Sequence, residues 1–440
     1  MRGRLNLFQV AMLRWRELHP YNAVHVVRVA KPLDGAALQQ AIDGVLAESG
    51  LTGLTLDAGH RRYEWAGGPA RSPVGVVPIA PGADSARAVD AEIERQLNAR
   101  FPRDGAIDAF RFFAFDYGGT FDLGLSYDHF IAAGDSIVAL LKTIVERYAG
   151  AVGGRTAAPR APAIDRYPLT YGHLFRRQLA AVILGLRRVP AIADSFRRAF
   201  RPRYPHGGGT YNAFTHVRIE PAGVEALRRT AKTWGVTLND LVLALLLQAL
   251  APFTEARRAE PRRNRLAVAS IVNIRGDCGE AARSAFGQFL SSFLVAHPVP
   301  AGVGLEALAR DVRADTARIK REKLYLQTLL AMGGSGMFWR WLSPRRRAHF
   351  HGKAYPVWAG TSALNVDALW RASAGAAGVR DGAPAYLRAI PTGPLAPMAV
   401  AVTTAGGAIA LGISYRPAAF TGDDVAKIFE SVLNGIARLS

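Results

Sequence analysis

The sequence predicts an α/β protein built as two lobes. Three observations carry this. The chain has 440 residues, half of them hydrophobic and a fifth charged, more apolar material than one core holds. Strand-like alternation recurs between stretches of helical spacing along the whole chain. A connector rich in proline, glycine and alanine runs from Ala149 to Pro168. We place the boundary near Thr170, with an N-terminal lobe of residues 1–170 and a C-terminal lobe of residues 171–440.

Asn22 to Val29 is an apolar, β-branched run that reads as a strand. Leu33-Asp34-Gly35 follows, with helical spacing to Leu46. Phe121, Leu123, Leu125 and Tyr127 alternate with Asp122, Gly124, Ser126 and Asp128, the pattern of a half-buried strand. Ile137, Leu140, Leu141, Ile144, Val145 and Tyr148 then fall at helical spacing, and Asp135 or Ser136 is placed to cap that helix. Arg203 to Gly209 reads as a second flexible point. Strands are expected at Asn212 to Ile219, Leu266 to Ile274, Phe289 to His297, Met398 to Thr404 and Ala408 to Tyr415. Between them lie an apolar helix, Leu241 to Phe253, and a strongly amphipathic one, Leu305 to Lys323. There is no internal repeat.

The most informative residue is His129. It sits at the exit of one strand and just before a helix, where a rigid scaffold holds a side chain over a cleft. A neutral imidazole there takes a proton from a hydroxyl or amine near neutral pH.

Asp128-His129-Phe130-Ile131-Ala132-Ala133-Gly134-Asp135-Ser136 resembles the His-His-x-x-x-Asp-Gly motif of the condensation-domain superfamily. That superfamily includes wax ester synthase/diacylglycerol acyltransferases and peptide-synthetase condensation domains. Asp128 takes the first His position and His129 the catalytic one; Ala133 takes the Asp position and Gly134 keeps the Gly. Ser136 matches a Ser often found two residues later. Two of the four positions depart, and the missing Asp is the more serious, since in the family it pairs with an arginine and shapes the histidine loop. Further resemblances follow in order. Val236-Thr237-Leu238-Asn239-Asp240 is similar to the opening of a second-lobe helix, and Ser270 to Gly276 to a strand carrying "Pro-Val-Asn-x-Arg". Phe286-Gly287-Gln288-Phe289 is similar to "Gly-Asn-x-Phe", and Thr361 to Asn365 to a Ser-Asn strand near the active-site tunnel. The closing strand pair and the helix at Asp423 match as well.

The resemblance implies two chloramphenicol-acetyltransferase-like lobes, each a mixed sheet flanked by helices, with a tunnel between them. It also implies acyl transfer from a thioester to an alcohol or amine, without a covalent enzyme intermediate. His129 would remove the acceptor's proton, and backbone N–H groups around Gly134, with Asn365 from the second lobe, would face the oxyanion. Asp135 would supply the carboxylate that Ala133 lacks, paired with Arg275, while Asn273 and Arg275 would position the loop. The competing reading of Arg275 is a surface charge beside Asp277. No permanently bound cofactor is expected; acyl-CoA or a phosphopantetheinyl carrier would be the co-substrate. A catalytically inactive relative that binds a carrier protein or lipid is the alternative, and the departure at Ala133 is what feeds it.

Other chemistries are excluded on residues. Cys278 is the lone cysteine, so there is neither an intramolecular disulfide nor a cysteine-rich zinc site. No Gly-x-Ser-x-Gly elbow is present, and Gly333-Gly334-Ser335-Gly336 has no following Lys-Ser/Thr for a nucleotide loop. His349 and His351 read as surface histidines, and His25 and His173 have no evident partner. Arg14, Arg16 and Glu17 interrupt any signal-peptide core, and no apolar run is long enough to span a bilayer, so cytoplasmic residence is expected.

Lys and Arg number 55 against 35 Asp and Glu, a formal charge of +20, which attracts anionic partners. Two segments concentrate it. One runs through Arg176-Arg177, Arg187-Arg188, Arg197-Arg198, Arg201 and Arg203, interleaved with Leu174, Phe175, Val182, Ile183, Leu184 and Phe196. The other is Met337 to Arg347. Such segments suit an acidic acyl carrier protein, or peripheral contact with an anionic inner-membrane surface, or solvated arginine faces. Nucleic acid is not expected, because no recognised binding module accompanies the charge. One chain already forms a complete site in the resembled superfamily, so a monomer is expected.

Overall fold

The computed structural model describes residues 1–439 except 71, 80, 81, 83, 104, 155–170, 258–261, 284, 299–301, 340, 344, 348, 349, 351–354 and 373–383. The expected boundary at Thr170 and the histidines 349 and 351 lie outside the described residues.

The chain opens with β1 (Arg2–Arg4) and α1 (Leu7–Leu18). The α1 helix starts in a capping box, with the Asn6 side chain on the Gln9 N–H and the Gln9 side chain on the Asn6 N–H. Then come β2 (Asn22–Val29) and α2 (Gly35–Glu48), the latter capped by Asp34 accepting from Ala37 N at 3.0 Å. Short strands β3 (Leu54–Leu56), β4 (Arg62–Trp65) and β5 (Gly75–Val76) lead to α3 (Ser85–Asn98). The N-terminal half closes with β6 (Phe110–Asp116), β7 (Phe121–Asp128) and α4 (Gly134–Val152).

The alternation in β7 suggests one solvated face, yet every residue of β7 is buried. The polar face is covered too. Gly124 lies under the Phe113 ring, 2.1 Å from where a Cβ would be, Asp122 pairs with Arg28, and Asp128 pairs with Arg16. A second expectation also fails. Ala133 is the N-cap of α4 and makes no side-chain cap, so neither Asp135 nor Ser136 holds the cap position. Asp135 instead accepts from the adjacent Ser136 N–H at 2.8 Å, inside the first turn.

The second half begins with α5 (Gly172–Arg177), α6 (Leu179–Arg187) and α7 (Val189–Arg198). It continues with β8 (Ala213–Ile219), α8 (Pro221–Trp234) and α9 (Leu238–Leu250). Thr237 and Asp240 form the capping box of α9, and buried Asp240 also accepts from Thr316 Oγ1 at 2.7 Å. The helix ends at Leu250 rather than Phe253, giving way to a 3₁₀ turn over Ala251–Arg257. Next are β9 (Arg265–Asn273), α10 (Arg275–Cys278), α11 (Glu280–Arg283), β10 (Leu290–Pro298), α12 (Leu305–Arg321) and α13 (Leu326–Trp339). The chain finishes with β11 (Ala359–Asn365), α14 (Val366–Ala372), β12 (Tyr386–Ala389), β13 (Met398–Ala405), β14 (Ala408–Tyr415) and α15 (Gly422–Ala437).

Two mixed sheets organise these elements. One has the order β12-β2-β7-β6-β5, the other β10-β9-β11-β13-β14-β8. A small sheet, β1-β4-β3, sits beside them. One strand is exchanged between the two halves. β12, from the C-terminal half, pairs antiparallel with β2, with Arg388 opposite His25, and completes the first sheet. Where β12 crosses, its Arg388 carbonyl passes 1.8 Å from where a Cβ on Gly412 would stand, so only glycine fits in β14.

Candidate active site

His129 follows the last residue of β7 and its N–H donates to Tyr21 O at 3.0 Å. Its carbonyl accepts from Gln288 Nε2, which also donates to Ala132 O at 2.8 Å. Ala133 N donates to Gly287 O at 3.0 Å. Gly287 has φ +138, a conformation that favours glycine. Thus the segment before β10 clamps the histidine loop from the opposite half of the molecule.

The His129 ring lines a cavity of about 140 Å³ between the two large sheets. Tyr21 and Tyr127 flank it, with ring centroids 5.8 and 5.9 Å away, and its Nδ1 has no hydrogen-bond partner. Among the described residues no carboxylate is hydrogen-bonded to the ring. Burial first, then the charge of Arg388, bring the imidazole down from 6.5 to about 4, the Ala132 backbone acting the other way. His129 is therefore neutral at pH 7.

Of the other sequence candidates, Gly134, Asp135 and Asn273 line the same cavity. Asp135 Oδ2 accepts from Asn273 Nδ2 at 2.8 Å and from Arg275 Nε at 3.0 Å. Arg275 also donates to Ser136 Oγ at 3.0 Å and to the carbonyls of Ala282 and Ala285, and lies over the Phe289 ring at 4.3 Å. It is not a surface charge. Asp277, its presumed neighbour, turns instead to Lys323 Nζ at 2.6 Å and Tyr325 Oη at 2.7 Å. Two residues after Ala133, Asp135 thus supplies a carboxylate that pairs with Arg275. Ser136 is buried behind the cavity, exchanging hydrogen bonds with Gly287.

Two candidates lie elsewhere. Asp128 faces away from the cavity and makes a buried pair with Arg16, so it anchors α1 to the loop. Asn365 is exposed at the end of β11, where its Oδ1 accepts from Ala368 N at 3.0 Å and caps α14. The cap consumes its acceptor, and it does not line the cavity.

Sequence reasoning missed two residues. His25 lies in mid-β2 and has partners after all: Nδ1 meets Tyr386 Oη at 2.8 Å, and the ring packs edge-on to Tyr127 at 5.8 Å. Burial holds it well below the usual histidine range. Arg388 enters from β12 and lines the cavity. The available signal was a single charged residue inside the otherwise apolar Tyr386-Leu387-Arg388-Ala389-Ile390.

A second cavity of about 940 Å³ shares Tyr355 and Leu395 with the first. Its walls are mostly apolar and come from α1, α7, β10 and α13, among them Trp15, Ile192, Phe196, Phe293 and Leu330. At its rim, α6 and its junction with α7 present Leu179, Ile183, Leu186 and Val189, each about half exposed, between the arginines of the first basic segment, and Leu186 and Val189 also line the cavity. Trp341 of the second segment is 86% exposed. Among the described residues no three His, Cys, Asp or Glu gather as a metal site, and no single helix is long and apolar enough to cross a membrane.

Two mixed sheets, a strand passed between them and a histidine loop at their junction define the condensation-domain, chloramphenicol-acetyltransferase-like fold. Solved structures bear this out. The first condensation domain of the calcium-dependent antibiotic synthetase, in complex with a substrate analogue, superposes with TM-score 0.68 at 16% identity, covering 100% of this chain and 97% of that one. The EpoB cyclization-docking bidomain from Sorangium cellulosum gives 0.67 at 13%, covering 100% and 84%. SgcC5 from Streptomyces globisporus gives 0.65 at 13%, covering 99% and 98%. No known family model and no curated protein sequence matches the chain.

Proposed function

We propose that this protein is an acyltransferase that moves an acyl group from a thioester to an alcohol or amine, with His129 as the general base. The observation that carries the reading is His129 itself: neutral, held at a strand exit, and lining a cavity walled by both sheets. Acyl transfer needs a base beside the acceptor and the acceptor beside the thioester carbonyl. A histidine held by the loop at the cavity supports the first, and the walls contributed by both sheets support the second. The donor is carried on coenzyme A or on a phosphopantetheinyl protein. The condensation and cyclization domains that share the fold, and the net charge of +20, support an acidic carrier protein as partner.

The size of the two cavities sharpens the reading. About 140 Å³ holds reacting groups rather than a whole substrate, whereas 940 Å³ matches a drug-sized ligand of about 300–1,000 Å³. The apolar bulk of one substrate belongs in the larger space, beyond Tyr355 and Leu395. An inactive binding module is the weaker reading, because the ring lines the cavity and the loop keeps its carboxylate–arginine pair.

Thioester turnover followed by mass spectrometry tests this, with acyl-CoA and acyl-carrier donors, pooled alcohol and amine acceptors, and wild type against His129→Ala. Transfer that disappears in the variant is expected. Equal binding of a carrier protein by both forms, with no transfer by either, would move the assignment to the inactive module.

A further inference from the structure

The site contains a cation that the histidine chemistry leaves unused. Arg388 is 2% exposed, and among the described residues no carboxylate pairs with it. Its Nε donates to Thr403 Oγ1 at 2.9 Å, and its Nη2 to Ser362 O at 2.7 Å and Val402 O at 3.0 Å. All three partners are neutral, and among the described residues Nη1 has no acceptor. Buried charges are ordinarily paired, because an uncompensated one forfeits its hydration.

The guanidinium is held at a particular place. Nη1 lies 3.2 Å from where a Cβ on Gly134 would stand. Gly134 is the first residue of α4, a helix of 19 residues whose N-terminal dipole adds positive field at the same point. Gly134, Arg388 and His129 all line the 140 Å³ cavity. Thr403, Ser362 and Val402 come from neighbouring strands β11 and β13, so the sheet fixes Nε and Nη2 and leaves Nη1 to the cavity.

We propose that Arg388 and the N-terminus of α4 bind the carboxylate of the acceptor, so that the acceptor is a hydroxy acid or amino acid rather than a neutral alcohol or amine. The proposal rests on the acyl-transfer reading for its second substrate, and names that substrate's class. A transient oxyanion would also be attracted here. A bound carboxylate accounts for more. While Arg388 is uncompensated it opposes protonation of His129, the intended base. An acceptor that arrives with its own negative charge cancels that field as its hydroxyl or amine reaches the imidazole, so basicity rises only when the acceptor is in place. Gly134 is what lets the guanidinium approach, since a side chain there would meet Nη1.

Calorimetric binding needs no turnover and separates this proposal from the reaction itself. The probes are glycolate, lactate, glycine and alanine, each against its primary amide, with wild type, Arg388→Gln and Arg388→Lys. At least one acid should bind wild type tenfold or more tighter than its amide. The preference should vanish in Arg388→Gln and partly return in Arg388→Lys. An equal preference for the acid in wild type and Arg388→Gln would place the carboxylate elsewhere and overturn the proposal. No preference for any acid overturns it too. So does an Arg388→Gln loss of kcat that is equal for acid and amide acceptors, which would assign the cation to the oxyanion. Binding of acids with no acyl transfer would leave the anion site standing and remove the acyltransferase reading.

Discussion

Asp135 and Arg275 lie 140 positions apart and meet at 3.0 Å, joining the first turn of the helix after His129 to the short helix α10 that follows β9 of the other sheet. Both side chains are nearly buried, at 12% and 13% exposure. Breaking such a pair leaves a charge without its partner, so Arg275→Ala should destabilise the protein by about 3 kcal/mol in urea unfolding. Arg275→Lys should recover little, because an ammonium cannot reach Asp135, Ser136 and the Ala282 and Ala285 carbonyls together. An unchanged urea midpoint in Arg275→Ala would show that the pair holds nothing.

Stability should fall on mild acidification. His129 takes its proton at about 4 and His19 at about 3 when folded, both mainly because of burial, against about 6.5 for a free histidine. Below about 6.5 the unfolded chain binds protons the native state refuses, so acid favours unfolding. The contribution is whole above that pH and is lost as pH falls through the folded values. For His129 alone the span is worth about 3 kcal/mol. Urea midpoints between pH 7 and 4.5 should drop less steeply for His129→Gln than for wild type, and parallel slopes would refute the assignment. The acid limb of kcat/KM should lie near pH 4.

Two glycines separate folding from function. A methyl at Gly412 would strike the Arg388 carbonyl, and backbone cannot step aside, so Gly412→Ala should unfold at least about 1–3 kcal/mol more easily. A methyl at Gly134 meets the Arg388 Nη1 and the Leu364 side chain at 3.2 and 3.3 Å, which need give only slightly. Gly134→Ala should keep its melting temperature within a few degrees while losing most of its turnover. Equal melting losses in both variants would contradict this.

Ile192 in α7 faces the larger cavity. Ile192→Trp should move substrate preference toward shorter apolar chains, with activity on the shortest substrates retained. A chain-length profile that does not move would place the apolar bulk elsewhere.

Much of the fold was legible in residues alone. The β2, β7 and β14 patterns coincide with the strands as they stand, because β2 is an apolar, β-branched run and β7 alternates apolar with polar or small residues. Burial of both faces of β7 was not legible, since the arginines covering Asp122 and Asp128 come from β2 and α1. At the site, the pairing of Asp135 with Arg275 was legible, while His25 and Arg388 were not. Their significance arises only where β12 pairs with β2, a contact across more than 360 residues that no local pattern encodes. Asn365 misled because an Asn ending a strand serves equally well to start a helix.

The passage of β12 into the first sheet also bears on how the protein is made. A ribosome releases β2, β6 and β7 long before it reaches Tyr386, so through most of synthesis the outer edge of β2 exposes unpaired N–H and C=O groups of Val24 to Val27. The nascent N-terminal half is then a sheet missing its last strand, competent to recruit any extended segment that drifts past. A fragment ending before residue 386 should consequently be prone to aggregate, and a peptide spanning 384–391 supplied in trans should suppress that aggregation.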